Sequence, residues 1–381
     1  MYVTIQDIAE KLDVSPATVS LALSGKKAGK RRLSPATVRR VRRMASKMGY
    51  RTNQLAASIR RQQTKTLGFI MRFFHGSYFS DVLRGVNKEV YPEYDLLVAA
   101  HNDDPEKERK QLNMMMSKRV DGIIATYSGG PENIQMYKDF VRGKRFPLVM
   151  LDTGVPGVSL PVVRCDHFAA VHESTKALID SGHKRIELVL LEVKEELNTC
   201  REQAYLEAMQ KAGLSSQARV NPQPHVKGWA REELNAIARR VVKEWISQQQ
   251  RPTALLITDD YLAYEVLAIA KRDYSLQIPQ DLSVMGIGDR SASWMPGIDL
   301  SSVSGDYESQ GKKAAGLLLD MMDGKKWDGR EIVLPISLKM RGTTAAAEQQ
   351  ESGETIPIQG LGRGRDTQKP AVTQLRGYVK E

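Results

Sequence analysis

The chain has 381 residues, enough for about two or three domains rather than one core. Hydrophobic residues make up 41% and charged residues 27%, which excludes a wholly disordered chain. Net charge is +11, but fifteen Lys and Arg against three acids lie within residues 1–65, leaving the remainder close to neutral. A basic charge gathered at one end points to a polyanion met there; a solubilising surface is the alternative. The longest apolar runs, such as Leu148 to Leu151 and Ala254 to Ile257, are far short of the ~20 residues of a membrane span. Met1 to Glu10 alternates polar and apolar residues and carries two acids, unlike a secretory signal. Cys165 and Cys200 make neither a disulfide framework nor a metal set. A cytoplasmic protein without membrane attachment or metal is expected.

In chain order, Thr4-Ile5-Gln6-Asp7 forms a capping-box-like start, with the acid at the positive helix end. Ile5, Ile8, Ala9 and Leu12 recur at helical spacing, and Asp13-Val14 breaks the helix. Ser15-Pro16 is an N-cap followed by proline, so a second helix opens at once and runs to about Leu23. Two short helices across so tight a turn describe a helix-turn-helix. Five cations then fall within Lys26 to Arg32, including Lys27, Lys30 and Arg31, without helical period, in a loop able to reach phosphates. A third helix opens at Ser34-Pro35, buries Val38, Val41, Ala45 and Met48, and closes at Gly49. Arg39, Arg40, Arg42 and Arg43 crowd its outer side.

From Thr66 the period changes to alternating strand and helix. Strands are predicted at 67–71, 96–99, 122–125 and 148–152, with helices at 80–90, 105–118 and 132–142. A second series has strands at 186–191, 254–258 and 282–287, with helices at 199–212, 232–248 and 261–272. A last helix is predicted at 307–322. Such alternation specifies parallel sheets covered by helices on both faces, hence two wound α/β lobes. Ligands of open parallel sheets settle at strand carboxyl ends, so the cleft between lobes is the expected pocket. Beyond Ala345 the chain is rich in Gln, Gly, Thr and Arg, lacks apolar heptads and reads as a disordered tail.

Familiar enzyme signatures are missing. Gly305 to Lys312 lacks the spacing and the Lys-Ser/Thr end of a phosphate-binding loop. His167 and His172 lie at no zinc-ligand spacing, and Gly76-Ser77-Tyr78 is no nucleophile elbow. No cofactor is expected.

The blocks Val3-Thr4-Ile5-Gln6-Asp7-Ile8-Ala9, Val14-Ser15-Pro16-Ala17-Thr18-Val19-Ser20 and Gly49-Tyr50-Arg51-Thr52-Asn53 resemble, in order and spacing, the DNA-binding headpiece of the lactose-repressor (LacI/GalR) family. The resemblance runs from about residue 3 to residue 343, its body being the family's periplasmic-binding-protein-like pair of lobes. It implies a headpiece over residues 1–50, a hinge helix and linker over 51–65, and an effector-binding and dimerisation body over 66–344. It further implies a transcriptional regulator, a repressor rather than an activator, dimeric on a pseudo-palindromic double-stranded DNA operator and modulated by a small-molecule effector. A ligand-binding protein without regulation is the rival.

For DNA, the resemblance implicates Thr4 and the second helix, with Ser15, Pro16, Ala17, Thr18, Ser20 and Leu21 entering the major groove. Lys26, Lys27, Arg31 and Arg32 would meet phosphates. Asn53 would cap the hinge helix, Ala56 would allow close approach, and Ile59 would be its minor-groove lever, unless the segment is a plain linker. Pro16, Ala17 and Leu21 depart from the long polar residues usual there; they can pack on a thymine methyl but make no bidentate base contact. For the effector it implicates Tyr78, Phe79, Asp152, Arg201, Trp229, Asp259 and Asp289, with the aromatic pair serving either pocket or core. Gly286-Ile287-Gly288-Asp289 keeps only the second of two usual acids, and Gly305 replaces a polar residue.

Overall fold

The computed structural model describes residues 3–24, 33–50, 63–74, 76–143, 146–192, 195–226, 230–290, 292–293 and 295–347. The chain divides into two compact units. In the N-terminal one, α1 (Ile5–Leu12) is closed by a full capping box: the Thr4 hydroxyl accepts from the Asp7 amide, and the Asp7 carboxylate accepts from the Thr4 amide. Asp13, in the left-handed region at φ 52°, ends it. Ser15 then caps α2 (Pro16–Ser24) by accepting from the Thr18 amide at 3.2 Å. Ser34 does the same for α3 (Pro35–Lys47) through Thr37. Ile8, Ala9, Leu12, Val19, Ala22, Val41 and Ala45 are the shared core, with Val38 and Met48 packed at its margin.

The body holds two six-stranded sheets. In the first lobe, β1 (Thr66–Met71), β2 (Asp95–Ala100), β3 (Gly122–Ala125), β4 (Leu148–Leu151), β5 (Val162–Cys165) and β11 (Ile332–Leu334) lie in the order β11-β5-β4-β3-β1-β2. In the second, β6 (Ile186–Leu191), β7 (Arg219–Gln223), β8 (Ala254–Ile257), β9 (Ser283–Ile287), β10 (Ser301–Gly305) and β12 (Ile336–Lys339) lie in the order β12-β10-β9-β8-β6-β7. Strand β12 runs antiparallel to β10, its neighbour. The first lobe carries α4 (Ser77–Val90), α5 (Pro105–Ser117), α6 (Ile134–Gly143) and α11 (Tyr307–Met322). The second carries α7 (His167–Asp180), α8 (Glu195–Lys211), α9 (Arg231–Ser247) and α10 (Asp260–Tyr274). The chain crosses between lobes at β5–α7, β10–α11 and β11–β12.

Several of these elements carry no clear signal in the sequence. In α7 two of the buried positions are Ser174 and Thr175, so the apolar stripe is broken. Strand β10 is Ser-Ser-Val-Ser-Gly, with serines that are hydrogen-bonded rather than apolar. Strand β7, with Pro222, is a half-exposed edge. Strands β5, β11 and β12 are only three or four residues long. Helix α4 begins at Ser77 rather than Ser80, which moves Tyr78 and Phe79 from a loop into its first turn.

Helices α4 and α11 touch backbone to backbone. A Cβ on Gly85 would lie 1.9 Å from the Glu308 carbonyl oxygen, and one on Gly311 would lie 1.9 Å from that of Val82. Only glycine permits this approach. Arg84 and Lys88 on α4 pair with Glu308 at the rim. We predict that Gly311→Ala lowers stability by about 1–3 kcal/mol or more in denaturant titration. Gly316→Ala, on the same helix with its nearest neighbour 3.9 Å away, should instead raise it by up to roughly 1 kcal/mol. Equal effects would refute the close-contact account.

Past β12, residues 341–347 strap across the second lobe. Thr343 donates to the Val284 carbonyl, and the Ala347 amide donates to the Ser181 carbonyl. The buried His183 ring joins them: Nε2 donates to the Ala345 carbonyl at 3.0 Å, so Nδ1 accepts from Thr253 Oγ1 at 2.8 Å. Burial holds this imidazole's pKa below the ordinary 6.5. The unfolded chain therefore takes up a proton that the folded one refuses, and stability falls as pH drops below about 6.5. Thermal melts between about pH 7 and pH 5 should lose less Tm in His183→Gln than in the parent; an identical acid loss would exclude His183 as a cause.

Candidate nucleic-acid interface and interlobe site

At the start of α2, Pro16 and Ala17 are exposed, and Ser20 and Leu21 are half-buried beside the inward Val19 and Ala22. Ser15 and Thr18 share a hydroxyl–hydroxyl bond of 2.9 Å, so both primarily set the helix start. Whichever hydroxyl donates, each keeps a lone pair or a hydrogen for a further partner. Thr4 is exposed, its hydroxyl accepting from Asp7. Arg39, Arg40, Arg42 and Arg43 line α3, with Arg40 Nη2 donating to the Leu12 carbonyl at 3.1 Å. Lys26, Lys27, Lys30, Arg31, Arg32, the segment with Asn53, Ala56 and Ile59, the effector candidate Trp229, and the tail beyond Ala347 lie outside the described residues.

The second site forms where strand ends of the two sheets meet. Tyr78, in the first turn of α4, donates its hydroxyl to Asp152 Oδ2 at 2.7 Å. Asp152 follows β4 in the left-handed region at φ 64°. Its Oδ1 accepts from Gln310 Nε2 at 2.9 Å, and that amide also donates to the Val163 carbonyl. The Tyr307 ring meets Tyr78 edge-on with centroids 4.7 Å apart, while Phe79 backs Tyr78 from within the first-lobe core. Of the aromatic pair, then, Phe79 is a core residue. Burial, then the Asp152 carboxylate, drives the Tyr78 hydroxyl pKa well above its usual range. A side chain at Gly305 has no room, because a Cβ there would sit 2.0 Å from Cys165 Sγ. Burial pushes that thiol up to about 12, so it is inert at neutral pH.

Arg201, on α8 beyond β6, is only 8% exposed, and its Nη1 has no hydrogen-bond partner. Burial lowers its pKa against the pull of Asp259 and Asp152. Nearby His167 is pushed down to about 4, mainly by burial and against Asp152; its ring is neutral, and Nε2 is buried without a partner.

The remaining acids are occupied from within. Asp259 caps α10 through Oδ1, which accepts from the Tyr261 amide at 2.8 Å, and its Oδ2 accepts from Arg290 Nη2 at 3.0 Å. The Arg290 guanidinium lies 4.6 Å above the Tyr261 ring. Its Nη1 comes within 3.5 Å of where a Gly76 Cβ would stand, which carries it across to the first lobe. Its Nε is a further buried donor without a partner. Asp260 accepts from the Arg290 amide, Ser293 and Ser302, and burial raises it to about 6. Asp289 departs from the sequence expectation: its carboxylate meets Arg341 at 2.7 Å and Lys339 at 3.4 Å, so it ties β12 and the strap to the lobe instead of standing free for a ligand. Arg290, Tyr307, Gln310 and His167 escaped the sequence reading as site residues. Their signal was position, since each follows the carboxyl end of β9, β10 or β5. Among the described residues no group of acids, histidines or cysteines could hold a metal. No helix among them is long and apolar enough to cross a membrane.

Comparison with known proteins agrees with this architecture. Residues 4–53 match the model of bacterial regulatory proteins of the lacI family, and residues 175–344 match a periplasmic binding protein-like domain. The chain is 27% identical over 346 residues to the HTH-type transcriptional repressor CytR of Escherichia coli (strain K12), covering 90% of this chain and 96% of CytR. It is also 27% identical to catabolite control protein A of Priestia megaterium, over 90% of this chain and all of that protein. Its fold matches that of a lac repressor dimer bound to operator and the anti-inducer ONPF, with a TM-score of 0.76 at 20% identity, covering 91% of this chain and 100% of that one. Residues 4–53 are thus a helix-turn-helix of the lacI family of bacterial regulatory proteins, followed in the chain by a periplasmic-binding-protein-like body.

Proposed function

We propose that the chain is a bacterial cytoplasmic transcriptional repressor, acting as a homodimer on a pseudo-palindromic operator and governed by a small molecule bound between its lobes. The observation that carries this reading is the capped α1–turn–α2 pair with its exposed α2 start, in a segment that holds the molecule's excess positive charge. A two-fold protein offers two recognition helices to two half-sites, which is why a palindromic duplex is the natural target. Pro16, Ala17 and Leu21 contribute apolar contacts to thymine methyls, while Thr4, Ser15, Thr18 and Ser20 contribute hydrogen bonds to bases or phosphates. Lys26, Lys27, Arg31 and Arg32 bind phosphates, and Asn53, Ala56 and Ile59 are proposed to contact the minor groove. The domain limits that suit this reading are 1–50, 51–65, 66–344 and 345–381.

The effector acts through its different affinity for two lobe arrangements, and only that difference can shift DNA binding. Tyr78, Arg201 and Trp229 are its proposed contacts, with Asp152 and Asp259 holding Tyr78 and Arg290 beside it. No catalytic step is assigned.

Selection of bound sequences from a random duplex pool should return a two-fold symmetric motif; an unstructured pool would overturn the reading. Removing residues 1–60 should abolish that binding and leave the body folded, as judged by its circular dichroism. Neutralising Lys26, Lys27, Lys30, Arg31 and Arg32 together should flatten the plot of log K against log salt, by about 0.9 for each phosphate that no longer meets a cation. An unchanged slope would place the loop away from DNA.

A further inference from the structure

We infer that the interlobe site takes a small molecule bearing an oxyanion, a phosphate ester or a carboxylate, and discriminates against neutral sugars. This rests on the reading of that site as the effector pocket.

A neutral polyol binds by giving hydroxyl hydrogens to carboxylates as much as by accepting from donors. Here each carboxylate already accepts from donors within the protein, which leaves it fewer acceptor sites to offer. Asp152 accepts from Tyr78 and Gln310. Asp259 accepts from the Tyr261 amide and Arg290. Asp260 accepts from Ser293, Ser302 and the Arg290 amide. Asp289 holds Arg341 and Lys339. At Gly288, next to Asp289, there is no side chain to replace them.

Around these four acids, the buried side-chain atoms without a partner include two guanidinium nitrogens. Arg201 Nη1 and Arg290 Nε are buried nitrogens that carry hydrogens with nothing to receive them. His167 Nε2 is a third buried nitrogen without a partner. Arg290 at least has Asp259 opposite its charge. Arg201 has no ion pair within 4 Å among the described residues, and a buried cation in that state is costly until an anion meets it. A guanidinium fork fits a phosphate or carboxylate face and forms charge-assisted bonds to it. Tyr78 and Tyr307 stand beside these donors as a wall for the uncharged part of the molecule. Arg290 reaches the first lobe while bound to Asp259 on the second, so an oxyanion competing for it would act on the junction between lobes.

The test uses the full-length protein and matched probes: ribose against ribose 5-phosphate, glucose against gluconate, and inorganic phosphate alone. Thermal shift and calorimetric titration should show that a charged member of at least one pair binds and its neutral counterpart does not. Which pair responds distinguishes phosphate from carboxylate. Arg201→Lys, which keeps the charge and loses the fork, should weaken the charged probe by roughly tenfold or more. Arg290→Gln should do likewise, providing a second variant should the first fold poorly. Equal binding of the neutral partner, or no binding of any charged probe, overturns the inference. Duplex preference measured on the same preparations separates the two levels. If it persists while anions are ignored, only the ligand class is wrong; if it is missing too, the regulator reading falls with it.

Discussion

The meeting of α4 and α11 at Gly85 and Gly311 is the constraint on which the interlobe site rests. Helix α11 begins at the end of a second-lobe strand yet lies against the first-lobe sheet. It can lie there only because two residues have no side chain at the contact. That seating brings Tyr307 against Tyr78 and Gln310 onto Asp152. A wider helix separation would pull these groups apart even if every one of them were retained. Backbone packing at this contact thus sets the polar geometry of the site beside it.

The charged groups follow a second logic. The strand ends of the second lobe present three consecutive problems: a helix start to cap, a buried carboxylate to satisfy and a strap to hold. Asp259, Asp260 and Asp289 answer them in turn, each committing its oxygens locally. Arg290 emerges as the residue that links these local solutions, through its amide to Asp260 and its guanidinium to Asp259 and the Tyr261 ring. Acidic residues at strand ends therefore do not by themselves make a sugar site. What matters is whether the fold has already supplied their donors.

Much of this was legible in the sequence, for identifiable reasons. Capping signals at Thr4, Ser15 and Ser34 act within a few residues, so the three headpiece helices can be read locally. The apolar runs of β1, β3, β4, β6 and β8 announce buried parallel strands, because both faces of such a sheet are covered. Strand β10 and helix α7 were hidden because buried serines and a threonine interrupt their apolar pattern, and partners such as Asp260 for Ser302 lie far away in sequence. The fate of Asp289 was hidden for a similar reason, since Arg341 lies 52 residues further on. Local rules reveal elements; they do not reveal which donors and acceptors the fold will already have matched.

The interleaving of the lobes has a consequence for biosynthesis. The first lobe opens with β1 but receives α11 and its edge strand β11 only after the second lobe's main strands have been translated. On the ribosome, the lobe that emerges first therefore waits for its cover until all but the last strand of the second lobe has been made. Until Leu334 clears the exit tunnel, the apolar surface destined for Ala314, Ala315 and Leu318 lacks its full cover. Chaperone engagement of nascent chains, and the harm done by premature stop codons, should concentrate in that interval.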